Sequence, residues 1–137
     1  MSLTDEERIT LVELEMEKAV KIFSEIEILV NAGLWSTAAN RLYYSVFHAV
    51  NALLIKDGHK VQTHQGTHIV FGLYYIKTGI FPAEYGRFYN QLQTLREQSD
   101  YNCVYDVAPD ELKSKIEPAK EIIGKISEII SKWLHET

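Results

Sequence analysis

The residues with the most chemical potential sit in one register of a predicted helix. Arg41, Tyr44, His48 and Asn51 are spaced i, i+3, i+7 and i+10. At about 3.6 residues per turn this stacks a guanidinium, a phenol, an imidazole and an amide along one stripe. Ser45 falls on the same side by this count, and Leu42, Tyr43, Val46, Ala49, Val50 and Leu53 fall on the other. The stripe suits phosphate binding or proton transfer, and a solvent-facing or dimer-facing polar surface is the plainer alternative.

A second constellation closes the predicted fourth helix, in LQTLREQSDYN, residues 92–102. Arg96, Ser99, Asp100 and Cys103 are spaced i, i+3, i+4 and i+7, with Tyr85, Tyr89 and Leu92 preceding them on the same side. Asp100 lies one turn from Arg96, so a guanidinium–carboxylate pair is expected. Such a pair is either an ordinary helix pair worth a few tenths of a kcal/mol or a device that orients Arg96 for a phosphate. A third group is His59, His64 and His68. His64 and His68 have the H-x-x-x-H spacing of a zinc helix but lack the Glu of H-E-x-x-H, and Gly66 weakens the helix between them. A metal-dependent hydrolase built on these histidines is the remote alternative. A loop and N-cap histidine pair beside an anion site is preferred. No Gly-rich phosphate loop and no G-x-S-x-G motif occurs, and no cofactor is implied.

The elements that position these groups are helical throughout. Apolar residues recur with period 3.6, and no stretch alternates as a strand would. A first helix is expected from about Thr4 to Asn31, opened by a Thr4/Glu7 capping box. Its apolar stripe is Ile9, Val12, Met16, Ala19, Val20, Phe23, Ile26 and Val30, and Gly33 stops it. A second helix covers about Leu34 to Lys56, followed by a loop over 58–65. A third runs from about His64 to Lys77. A fourth runs from Pro82 to about Ser99–Asn102, followed by a connection over 103–108. A fifth runs from Pro109 to about Leu134, with Pro118 expected to kink or divide it. Short connections imply an all-α, up-and-down bundle of about five antiparallel helices.

Bulk properties narrow the class. The chain has 137 residues, enough for one domain with a core of about residues 4–134 that needs no staple. Cys103 is the only cysteine, which excludes an intrachain disulfide and fits a reducing compartment. The acidic start lacks the apolar run of a secretory signal, and no stretch reaches the ~18 apolar residues of a membrane span. A cytoplasmic location without membrane association is therefore expected. The net charge of -5 opposes bulk attraction to nucleic acid. Yet residues 41–96 carry six Lys/Arg against two Asp/Glu, and four of the five histidines. A local anion site inside an acidic chain is thus allowed.

AANRLYYSVFHAVNALL, then the Thr63–Gly66 turn, then LREQSDY, in this order on an all-α chain, resemble the HEPN (higher eukaryotes and prokaryotes nucleotide-binding) domains. More narrowly they look like a small stand-alone bacterial and archaeal branch, and the resemblance spans about residues 10–134. The resemblance implies a helical bundle and a homodimer with a cleft between protomers. It also implies RNA or nucleotides as ligands. Many members are metal-independent endoribonucleases of toxin–antitoxin or defence systems, paired with a minimal nucleotidyltransferase. Their motif is Arg, four to six residues, then His. Arg96 matches the Arg, but the His positions hold Tyr101, Asn102 and Cys103. Arg96 is then the phosphate ligand, Asp100 its orienting carboxylate, and Tyr101 a candidate for the proton. Arg41, Tyr44, His48 and His64 are expected to line the same cleft, with His48 or His64 available as an imported base. A phenol is a poor base near neutral pH. The absent His favours the rival expectation, a non-catalytic HEPN module that binds a protein partner such as a nucleotidyltransferase.

Overall fold

The structure is a computed structural model that describes residues 2–61, 63–104 and 106–137. Met1, Gln62 of the expected 58–65 loop and Tyr105 of the expected 103–108 connection lie outside these residues. The described residues form six α-helices and one π-helical turn, with no strand among them. The helices are α1 (Asp5–Ser24), α2 (Ile26–Asn31), α3 (Trp35–Lys56), α4 (His64–Phe71), α5 (Ala83–Tyr101) and α6 (Pro109–Glu136). The π-helical turn, Gly72–Ile76, continues directly from α4. No helix among the described residues is long and apolar enough to cross a membrane.

Local chemistry explains the ends. Thr4 Oγ1 accepts from the Glu7 N–H at 3.1 Å, and the Glu7 carboxylate accepts from the Thr4 N–H at 2.8 Å. These bonds hold the Glu7 carboxyl below its usual range. Gly33, Gly58 and Gly79, the positions that end α2, α3 and the π turn, have positive φ. That conformation costs a residue with a Cβ and costs Gly little.

Two expectations about the helices need correction, and of the two outcomes expected at Pro118 one is excluded. The first helix is not continuous: it breaks at Glu25 into α1 and α2. Ser24 Oγ donates to the Lys21 carbonyl at 2.6 Å, a back-bond of the kind that bends helices. Val20 is exposed, and Ile22 takes the buried place beside Ala19 and Ile26. The expected third helix changes to π geometry after Phe71. Pro118 does not divide α6, which runs unbroken from Pro109 to Glu136. Leu112, on one side of the proline, and Ala119, Ile122 and Ile126, on the other, are buried in the same core. That shared burial outweighs the lost backbone bond.

The core is organised about α3, which packs against α1, α2, α4, α5 and α6. Ala38, Ala39, Ala49 and Ala52 are completely buried along it, and they let neighbouring helices approach closely. Ser45 is also fully buried, contrary to its expected place on the polar face. Its Oγ donates to the Leu42 carbonyl at 2.8 Å, which satisfies the hydroxyl locally.

Candidate functional site

The last turns of α5 lie against the first half of α3, and this crossing builds the site. Arg96 projects from α5 and is only 6% exposed. Its guanidinium carbon sits 4.9 Å from the Tyr43 ring centroid and 5.8 Å from those of Tyr44 and Tyr101. Aromatic faces attract a cation, most strongly where water is excluded. Arg96 Nη1 donates to the Tyr101 hydroxyl at 3.4 Å, and Nε is buried with no hydrogen-bond partner. An unmet buried donor costs about 1–3 kcal/mol, a cost the surrounding rings offset through their attraction for the cation.

Asp100 lies 3.7 Å from Arg96 Nη1, a loose ion pair. Its firmer bond is to α3, where Asn40 Nδ2 donates to Asp100 Oδ2 at 3.0 Å. Asn40 Oδ1 in turn accepts from Arg41 Nε and Nη2 at 3.2 and 3.0 Å. The Arg41 guanidinium packs over the Tyr44 ring at 5.4 Å. Arg41 and Arg96 therefore share one face of the molecule, with Tyr44 in contact with both.

His64 opens α4, whose N-cap is Thr63, and Thr63 Oγ1 accepts from the Gly66 N–H at 2.9 Å. This cap places the imidazole against Phe47 (4.5 Å between centroids) and Tyr44 (5.6 Å). His64 Nδ1 and the Tyr43 hydroxyl are 3.0 Å apart. Burial, followed by the Arg96 and His48 charges, lowers the His64 pKa, so the ring stays neutral over more of the acidic range. Burial likewise raises the Tyr43 pKa and keeps its phenol protonated.

An open cavity of about 640 Å³ joins these groups; it is lined by Tyr44, His64, Arg96, Gln98, Tyr101 and Asn102, and by one carboxylate, Glu97. Of the residues singled out by sequence, Arg96, Tyr101, Tyr44 and His64 meet on it. Asp100 and Arg41 do not line it and are joined to each other through Asn40. His48 turns to α1, where its Nδ1 lies 2.7 Å from Glu15 Oε2. Cys103 is exposed beyond the end of α5. The three spaced histidines go to different neighbours: His59 to Tyr74, His64 to Phe47 and His68 to Tyr89. Among the described residues no group of three His, Cys, Asp or Glu is placed to hold a metal ion.

Sequence reasoning missed two members of this network. Tyr43 falls among apolar residues of its helix, although its ring forms a wall of the Arg96 cage. Asn40 precedes the stripe by one residue, and its adjacency to Arg41 was the available signal.

A HEPN domain model matches residues 12–130. The chain belongs to the HEPN domain family. This HEPN chain is 27% identical to a "UPF0332 protein" of Thermotoga maritima over 90% of its own length and 94% of that protein. It is 30% identical to "Putative toxin MJ0605" of Methanocaldococcus jannaschii, over 87% of its length and 88% of the relative. It is 29% identical to "Putative toxin MJ0142" of the same organism, covering 85% and 80%. No histidine occurs in the seven residues after Arg96, and His64 stands on the same cavity from another helix.

Proposed function

We propose that this HEPN protein is a metal-independent endoribonuclease that acts in a toxin–antitoxin setting. The observation that carries the reading is the buried Arg96 guanidinium. It is stacked among three tyrosines, keeps an unpartnered Nε, and opens onto a cavity shared with His64. Arg96 holds the scissile phosphate, and Asp100, tethered by Asn40, steadies its position. His64 takes the proton from the ribose 2′-hydroxyl. The 2′-oxygen bonds to phosphorus, the bond to the 5′-oxygen breaks, and that oxygen takes a proton from water as it leaves. The products are a 2′,3′-cyclic phosphate and a 5′-hydroxyl. The base role requires the tautomer in which His64 Nδ1–H donates to the Tyr43 oxygen and leaves Nε2 with its lone pair. Tyr101 donates its hydroxyl to the phosphate beside Arg96. The working form is a cytoplasmic homodimer whose cleft brings two such cavities together.

The test is cleavage of RNA by purified protein with EDTA present, beside Arg96→Ala and His64→Gln. Cleavage to cyclic-phosphate ends by wild type, lost in both variants, is expected. A second reading is favoured by the motif positions after Arg96, which hold Tyr101, Asn102 and Cys103. In it the same face is a non-catalytic surface for a nucleotidyltransferase-type partner. Folded wild-type protein that leaves RNA intact under these conditions would refute the ribonuclease and leave this second reading standing.

A further inference from the structure

The α3 stripe does not end at the Arg96 cavity. Asn51, two turns beyond Tyr44, lines a second and more enclosed cavity of about 420 Å³ at the other end of the helix. Arg8 of α1 lines it too, together with His59 and Lys60 of the loop after α3. No carboxylate lines it, and no ion pair among the described residues involves Arg8, His59 or Lys60. Arg8 uses Nη1 on the Ile55 carbonyl at 2.5 Å, which offsets the negative end of α3 and leaves its other donors available. The His59 ring packs at 4.5 Å on Tyr74, whose own ring is half exposed. His59 thus links the Arg8 and Lys60 charges in the cavity to a half-exposed aromatic residue outside it, and single-stranded nucleic acid binds with phosphate on charge and base on ring.

We propose that Arg8, His59 and Lys60, with Asn51, form a second phosphate subsite. It binds the strand of single-stranded RNA that extends from the Arg96 cavity along α3. The seven residues from Tyr44 to Asn51 rise about 10 Å, a reach of a few nucleotides. Glu15, beside this path, is engaged by His48 at 2.7 Å. The substrate class is then an unpaired oligonucleotide. A dinucleotide fills the Arg96 cavity alone. This inference rests on the RNA reading above and adds the strand's course and minimum length.

The experiment is fluorescence anisotropy with uncleavable 2′-O-methyl oligouridine of eight and of two nucleotides, over a salt series. Wild type is compared with Lys60→Gln, His59→Ala and Arg96→Ala. Lys60→Gln should weaken the eight-nucleotide probe about tenfold and leave the two-nucleotide probe unchanged. It should also reduce the salt slope by roughly 0.7 for the lost phosphate contact. Unchanged affinity and slope in Lys60→Gln and His59→Ala, with binding still weakened by Arg96→Ala, would overturn the subsite alone. Equal loss for both probes with a lowered melting temperature would assign these residues to capping α3 and would also overturn it. Wild type that binds neither probe would remove the RNA reading and the subsite with it.

Discussion

At the scale of single residues, the unusual group is a buried cation held by rings rather than by carboxylates. Asp100 stands 3.7 Å away and spends its closer contact on Asn40. The tyrosine cage therefore does the holding, and it depends on a flat, delocalised cation. Lysine keeps the charge but cannot stack as a plane or present a forked donor set. Arg96→Lys should accordingly behave much like Arg96→Ala, with RNA affinity down at least tenfold and the fold retained by circular dichroism. Near-wild-type binding by Arg96→Lys would mean that charge alone is read. The imidazole gives a second handle. Because burial, followed by the neighbouring Arg96 and His48, lowers the His64 pKa, the acidic limb of cleavage should fall below the ordinary histidine value of about 6.5. A limb at or above that value, in a pH–rate profile of the wild type, would exclude His64 as the base.

At the scale of elements, His64 is only as well placed as the start of α4. Thr63 caps that helix through the Gly66 N–H, and a Cβ on residue 66 would meet Val61 Cγ1 at 2.8 Å and Thr63 Oγ1 at 2.9 Å. Thr63→Ala should cost about 1 kcal/mol in denaturant titration, with Thr63→Ser close to wild type. It should lower cleavage beyond what the lost stability explains, since the cap positions the base. The same element shows where sequence reasoning reached and where it stopped. Periodicity finds the start of α4 because Thr63 and Gly66 are local signals. It misses the π turn after Phe71, a stretch that packs against both α4 and α5 and that the apolar period reads as continuous helix. The break at Glu25 is likewise invisible in the apolar pattern and lies beside a serine back-bond of the kind that bends helices. Arg96, Tyr44 and His64 were legible as unusual residue types on helices. That they share a cavity depends on how α3, α4 and α5 pack together, and no spacing within one helix encodes that. Tyr43 escaped for the opposite reason: its phenyl body belongs to the apolar pattern, and its function lies in the face it offers to Arg96 from another helix.

At the scale of the whole molecule, one helix organises both the core and the site. The small residues Ala38, Ala39, Ala49 and Ala52 of α3 are fully buried among its neighbours. Enlarging one of them forces helices apart, so Ala49→Leu should lower stability by about 1–3 kcal/mol in a single cooperative transition. A separate, earlier transition for α5 would show that the site element folds independently of the core. Proton linkage acts on the same global equilibrium. Burial lowers the pKa of both His64 and His68, and His68 Nδ1 is buried without a hydrogen-bond partner. Because the folded values lie below the unfolded ones, the unfolded chain takes up protons first as pH falls. The neutral rings cost the fold nothing above the unfolded value of about 6.5, and stability is lost as the pH drops through it. Urea midpoints should therefore fall between pH 7.5 and 5.5, and the fall should be smaller in His68→Gln, whose amide does not titrate. Carboxylates contribute little in that window, since their ordinary values lie near 4. His68 makes ring contact with Tyr89 and does not line the Arg96 cavity, so the substitution reads linkage without disturbing the proposed chemistry. An acid-induced loss of equal size in wild type and His68→Gln would show that the His68 ring takes up its proton as readily folded as unfolded.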